Sequence, residues 1–150
     1  MPRVRVPVPM RWSDLDAYGH VNNAAMLTLL EEARIATFWS DGGSAAGTKV
    51  LTAGPTATSF TLVARQEIEY LAPLDYSQEP VAVDLWIGRI GGASLEVCYE
   101  LRSPAGTLCA KAATSIVMVE AASGRPRRLT EDERTALESL LEDPIEFRRR

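Results

Sequence analysis

The sequence predicts an α+β domain: a five-stranded antiparallel sheet around one buried helix, followed by a second, C-terminal helix. Three observations predict it. One helical stretch is apolar over much of its circumference, so it needs cover on more than one side. Four β-like segments in the second half follow one another through short links, which makes neighbours antiparallel. An alternating segment near the start supplies the fifth strand.

Val4, Val6, Val8 and Met10 alternate with Arg3, Arg5, Pro7 and Pro9; the prolines place this strand at a sheet edge, because they donate nothing to a ladder. Residues 12–22 are rich in turn formers and acids, and Asn22 or Asn23 caps the helix that follows. That helix spans 23–39, where eleven of seventeen residues are apolar and Glu31 and Arg34 pair on one face. Residues 41–57, dominated by Gly, Ser, Ala and Thr, read as a loop long enough to form a flap or hold a turn of helix. Strands are expected at about 58–71, 79–89, 93–102 and 107–119, with turns at Gly91-Gly92 and at Ser103-Pro104-Ala105-Gly106. Val81, Val83, Leu85 and Ile87 share one face, as do Leu95, Val97, Tyr99 and Leu101. Thr130-Glu131-Asp132-Glu133 is a capping box opening a helix over about 130–142, stopped by Pro144, and Arg148-Arg149-Arg150 reads as a solvated tail. Residues 1–150 form one domain with a core over about 3–120.

The composition removes several function classes. With 150 residues and 46% hydrophobic content the chain folds rather than staying disordered. No apolar run approaches the ~20 residues that span a bilayer, and MPRVRVPVPM is not a signal peptide, so a cytoplasmic protein is expected. Sixteen basic residues against twenty acidic give a net charge of −4, which implies no nucleic-acid partner. His20 is the one histidine, and Cys98 and Cys109 have no CxxC spacing, so no metal site is expected. Pairing Arg102 with Thr107 sets Cys109 opposite Glu100, not Cys98, which argues against a disulfide. There is no GxSxG elbow and no GxGxxG after a strand, and the Gly-rich residues 42–49 end Thr-Lys, the reverse of a phosphate loop.

Chemistry concentrates before the first helix. Asp14 and Asp16 precede it by one short loop, Gly19-His20-Val21-Asn22. A helix N-terminus offers unpaired N–H groups and a positive dipole end, which stabilise an oxygen becoming anionic. A carboxylate beside it serves as base or nucleophile. The segment thus holds two parts of an acyl-transfer site, although acids near helix starts often only cap the helix.

Arg11-Trp12-Ser13-Asp14-Leu15-Asp16-Ala17-Tyr18-Gly19-His20-Val21-Asn22-Asn23, continued by Glu31-Glu32-Ala33-Arg34, resembles the signature of the hot-dog-fold acyl-CoA thioesterases of the 4-hydroxybenzoyl-CoA thioesterase type. Arg65 to Leu74 is similar to the family's next strand with its Pro-Leu ending, and Gly92-Ala93-Ser94 to a later small-Ser element. The resemblance implies a hot-dog fold and hydrolysis of an acyl-CoA to free acid and CoA. It needs no cofactor beyond the substrate's own CoA, and it implies a homodimer or homotetramer. It carries catalysis to Asp16, attacking the carbonyl to form a mixed anhydride or activating water, and carbonyl polarisation to the backbone N–H of Asn23. Met26 departs from the pattern, standing where an aromatic is usual.

Around that pair, His20 is a further catalytic candidate, and Tyr18, Gly19, Val21, Asn22 and Arg65 are candidate substrate contacts. Plainer roles compete: Asp14 ties down the loop, Asn22 caps the helix, and Glu31 pairs with Arg34. Arg89, Arg102, Arg125, Arg127 and Arg128 read as surface cations within possible reach of phosphate, and Trp12, Tyr18 and Trp86 as core or acyl-pocket aromatics. Two other functions fit the fold: a non-catalytic acyl-thioester-binding protein, and a hydratase or dehydratase. The second is disfavoured because no second histidine exists.

Overall fold

A computed structural model describes residues 3–38 and 58–148. The expected elements appear in the expected order: β1 (Val4–Val8), α1 (Asn23–Phe38), β2 (Ser59–Tyr70), β3 (Val81–Ile90), β4 (Ser94–Arg102), β5 (Leu108–Glu120) and α2 (Glu131–Glu138). The five strands form one antiparallel sheet in the order β1-β3-β4-β5-β2. Expectations for Trp39, for the loop 41–57 and for Arg149 and Arg150 lie outside the described residues. No helix among the described residues is long and apolar enough to cross a membrane.

Period-two patterning decides which face of the sheet meets α1. Val81, Val83, Leu85 and Ile87 of β3 and Leu95, Val97, Tyr99 and Leu101 of β4 all point inward and are buried. Met26, Leu29, Leu30, Ala33 and Phe38 of α1 pack into that face. Cover is unequal: among the described residues α1 sits against β1 and β3, while β2, an open edge, stays largely exposed.

The C-terminal part departs from the sequence reading. Helix α2 ends at Glu138, not near Glu142. The pairing of β1 with β3 stops at Leu85, leaving the β3 edge free beyond it. Residues 140–142 take that edge: the Ile87 N–H donates to the Leu140 carbonyl and the Glu142 N–H to the Ile87 carbonyl, both at 2.9 Å. These sheet bonds outcompete another helical turn. The chain then crosses the outer face of the sheet. Trp86 Nε1 donates to the Asp143 carbonyl at 2.9 Å, Lys111 Nζ to the Glu146 carbonyl at 3.4 Å, and the Arg148 N–H to Glu69 at 2.9 Å. Trp86 is therefore buried outside the helix-facing core, beneath this strap and under the Arg3 guanidinium, 3.8 Å from its ring centre. A Cβ on Gly88 would lie 2.7 Å from Cys98 Sγ and 3.1 Å from Pro144 Cα, so the crossing needs glycine there.

Cys98 and Cys109 are both free and buried. The register differs by two residues from the expected one: Glu100 faces Lys111, Cys98 faces Ala113, and Cys109 is the extra residue of a bulge between Leu108 and Ala110. The five-residue turn, closed by the Ser103 N–H on the Thr107 carbonyl at 2.9 Å, fits Thr107 only outside the ladder, which shifts the pairing.

Candidate active site

The loop before α1 is built by its own acids. Asp14 is buried and accepts from the Arg11 guanidinium at 2.7 Å and from the Arg11 N–H at 2.9 Å. The hydrogen bonds from Arg11, side chain first and backbone second, hold the Asp14 carboxyl below its ordinary pKa, with the Arg11 charge adding to them. The Asp14 carbonyl accepts the Asn22 N–H at 2.7 Å, which closes the loop at its neck. Asp14 is thus the structural acid of the pair.

Asp16 has a different setting. Its Oδ1 accepts from the Tyr18 N–H at 2.8 Å and the His20 N–H at 3.2 Å, so one carboxylate oxygen fixes the turn. Its Oδ2 has no partner among the described residues and remains available for chemistry. Gly19 completes the turn at φ +78°, in the left-handed region where a side chain is strained. The far side of the loop is pinned to the segment after β2, where the Val21 N–H donates to the Leu74 carbonyl at 2.7 Å.

At the helix start, Asn22 Oδ1 accepts the Ala24 N–H at 2.8 Å, and the Asn22 carbonyl accepts the Met26 N–H at 3.1 Å. Asn22 is therefore the cap. The Asn23 N–H has no acceptor among the described residues. A cleft of 570 Å³ opens there, with Asp16, His20, Val21, Asn23 and Met26 on one side and the stretch from Tyr70 to Pro73 on the other. The Tyr70 hydroxyl donates to the Asn23 carbonyl at 2.7 Å and joins the two walls. Burial raises the Tyr70 pKa, which keeps it a donor.

The remaining candidates divide. His20 borders the cleft, but its imidazole Nε2 lies 3.5 Å from Asp75, and it is its backbone that holds Asp16. Val21 and Met26 line the cleft. Tyr18 and Gly19 enter only through the turn, Asn22 through the cap, and Arg65 is an exposed side chain of β2 beside Glu67. Trp12 and Tyr18 are largely exposed and do not pack in the core. Arg102 pairs with Asp84 and Glu100, and Arg127 with Glu133, so both serve the scaffold. Sequence reading missed Tyr70 as a cleft wall and Asp75 as the partner of His20; the Tyr-Leu-Ala-Pro-Leu-Asp run was the available signal, but only the folded loop brings it to the helix start. Among the described residues no three His, Cys, Asp or Glu side chains gather as a metal site requires.

Known proteins resemble this chain in sequence and fold. The model of the thioesterase-like superfamily matches residues 10–137. The Bacillus subtilis (strain 168) protein YsmA is 27% identical over 130 residues, covering 87% of this chain and 82% of its own. A thioesterase complexed with coenzyme A and Zn from Thermus thermophilus superposes with a TM-score of 0.70 at 31% identity, over 93% of this chain and 94% of that one. A predicted thioesterase from Bacillus stearothermophilus superposes at 0.75 with 26% identity, over 95% and 98% of the two chains. The chain belongs to the thioesterase-like superfamily and is a thioester hydrolase with the hot-dog fold.

Proposed function

We propose that this chain hydrolyses an acyl-CoA to a free acid and CoA, with Asp16 and the Asn23 N–H as its reacting pair. The observation that carries the assignment is the adjacency, on a single cleft, of a helix-start amide and a carboxylate oxygen that both lack partners among the described residues. The thioester carbonyl oxygen accepts from the Asn23 N–H, and the helix dipole favours the negative charge that develops there. Asp16 Oδ2 either attacks the carbonyl carbon, giving a mixed anhydride that water opens, or takes a proton from an attacking water. In both routes the CoA thiolate leaves, a good enough leaving group for a carboxylate to displace. A coenzyme A bound to the Thermus thermophilus neighbour supports CoA as the carrier. The test is thiol release, read with a disulfide reporter, from short, medium, long and aromatic acyl-CoAs. Wild-type release with a loss of about 10²-fold or more in folded Asp16→Ala and Asp16→Asn supports the assignment. Equal rates sink the role of Asp16. CoA-ester binding without hydrolysis would favour the non-catalytic binding protein.

The working unit in this reading is a homo-oligomer in the cytoplasm. Among the described residues β2 is a twelve-residue open edge with Phe60, Leu62 and Val63 exposed, a surface that single subunits normally blunt. A second copy adding its own β2 edge to edge would cover it and sit beside Tyr70 at the cleft. Two buried, unpaired cysteines suit a reducing compartment. Sedimentation of wild type and Leu62→Lys checks the oligomer: the variant should move toward monomer.

A further inference from the structure

The most unusual polar group outside the Asp16 loop is Arg34. It lies on α1, is 6% exposed, and faces the inner side of the sheet. A guanidinium has five N–H donors. Here NH1 donates to the Tyr99 hydroxyl at 3.0 Å, and the one carboxylate near it among the described residues is Glu31, 3.8 Å away and half exposed. The other donors have no acceptor among the described residues. Within the described residues its charge thus sits beside one partly exposed carboxylate and a hydroxyl that carries its hydrogen bond onward.

The hydrogen bonds run on in one direction. Because Arg34 only donates, the Tyr99 oxygen accepts from it, and the Tyr99 proton goes to Thr114 Oγ1 at 2.9 Å. Thr114 in turn donates to Gln66 Oε1 at 3.4 Å. The Gln66 carbonyl is thereby engaged, and its NH₂ group is left as a donor. Gln66 sits on β2 opposite Thr114, so it is on the inner face; Ile68 and Tyr70, opposite Ala112 and Ala110, share that face. Among the described residues nothing covers this strip beside α1: Gln66 is exposed, Ile68 half-buried and Tyr70 43% exposed. It leads from the Asn23 carbonyl, held by Tyr70, to the Gln66 amide over four residues, about 13 Å of strand.

We propose that the acyl group lies along this strip and that Gln66, with the Arg34 charge behind it, recognises a carboxylate at its far end. The substrate class is then a medium-chain ω-carboxyacyl thioester. This rests on reading Asp16 and Asn23 as the reacting pair. The carboxylate end is favoured over a neutral one because a charged acceptor bonds the amide NH₂ more strongly, and the chain of hydrogen bonds from Arg34 polarises that donor.

The experiment compares kcat/KM for adipyl-, suberyl- and sebacyl-CoA with hexanoyl-, octanoyl- and decanoyl-CoA, as a ratio at each length. Wild type should favour the longer ω-carboxyacyl esters by about tenfold or more. Gln66→Leu should bring that ratio near one, and Gln66→Glu, which sets a like charge at the tail, should bring it below one. Gln66 is exposed, so neither change disturbs the core. A wild-type ratio near one overturns the proposal while leaving thioester hydrolysis standing. An unchanged ratio in Gln66→Leu overturns it as well. Weaker self-association of Gln66→Leu in sedimentation, with no wild-type preference, assigns the relay to a subunit contact and equally overturns it. Absence of hydrolysis with every ester refutes the acyl-CoA reading itself.

Discussion

Replacing Asn23 by proline removes the amide hydrogen proposed to polarise the thioester while sparing the helix that carries it. Asn23 is the first residue of α1, and its N–H has no acceptor among the described residues, so proline deletes no helical hydrogen bond. Proline is at home at the first helical position, and the extended backbone it imposes on Asn22 is the one a cap residue already adopts. The substitution also loses the Asn23 Oδ1 contact with the Ala24 N–H at 3.0 Å, but Asn22 Oδ1 holds the same N–H at 2.8 Å. The fold should therefore survive with a melting temperature lowered by only a few degrees. Catalysis should not: loss of one oxyanion donor typically costs about 10²–10³ in kcat, about 2.7–4 kcal/mol. Asn23→Ala keeps the N–H and removes only the side chain, and should retain most of the rate. The assay is steady-state thiol release for both variants beside thermal melts. A folded Asn23→Pro with near wild-type kcat, or an Asn23→Ala that falls as far, would refute the backbone mechanism.

Acid should weaken the loop through Asp14. Its pKa is lowered in the fold, so its stabilising contribution is complete above the ordinary aspartate value near 4 and fades as pH falls through the lowered folded value. Melting temperature against pH should show a shallower acid limb in Asp14→Asn than in wild type. Cys98, with its pKa pushed up to about 11 by burial, should resist a thiol reagent in the native protein. Gly88→Ala forces a Cβ against Cys98 and Pro144, should cost about 1–3 kcal/mol by denaturant titration, and should make Cys98 react. Thr130→Ala removes the acceptor of the Glu133 N–H at 3.1 Å and should cost about 1 kcal/mol in the same titration.

The strands and the first helix were legible because their signals are local. The alternation of β3 and β4 reports directly which side chains meet α1, and the Asp16-to-Asn23 spacing places a carboxylate beside a helix start without any tertiary knowledge. What stayed hidden depends on partners distant in sequence. Nothing local to Leu140 or Glu142 says that the β3 edge is vacant beyond Leu85, so the capping box was extended into a helix that the sheet cuts short. Tyr70 and Asn23 are forty-seven positions apart and meet only because β2 ends beside the α1 start. The Cys109 bulge is set by how a five-residue turn fits two strands, a geometric matter that residue types do not record.

The strap has a consequence for biosynthesis. Residues 140–148 leave the ribosome after every strand of the sheet, yet they close the β3 edge and cover Trp86. Until they arrive, a nascent chain with all five strands synthesised still presents an unpaired edge beside an indole that Arg3 alone shields, the kind of surface on which chains aggregate or chaperones hold on. Final closure of this domain is therefore a late event, coupled to release of the segment that follows α2. Ribosome-bound chains arrested just short of it should be markedly more sensitive to protease than chains a few residues longer.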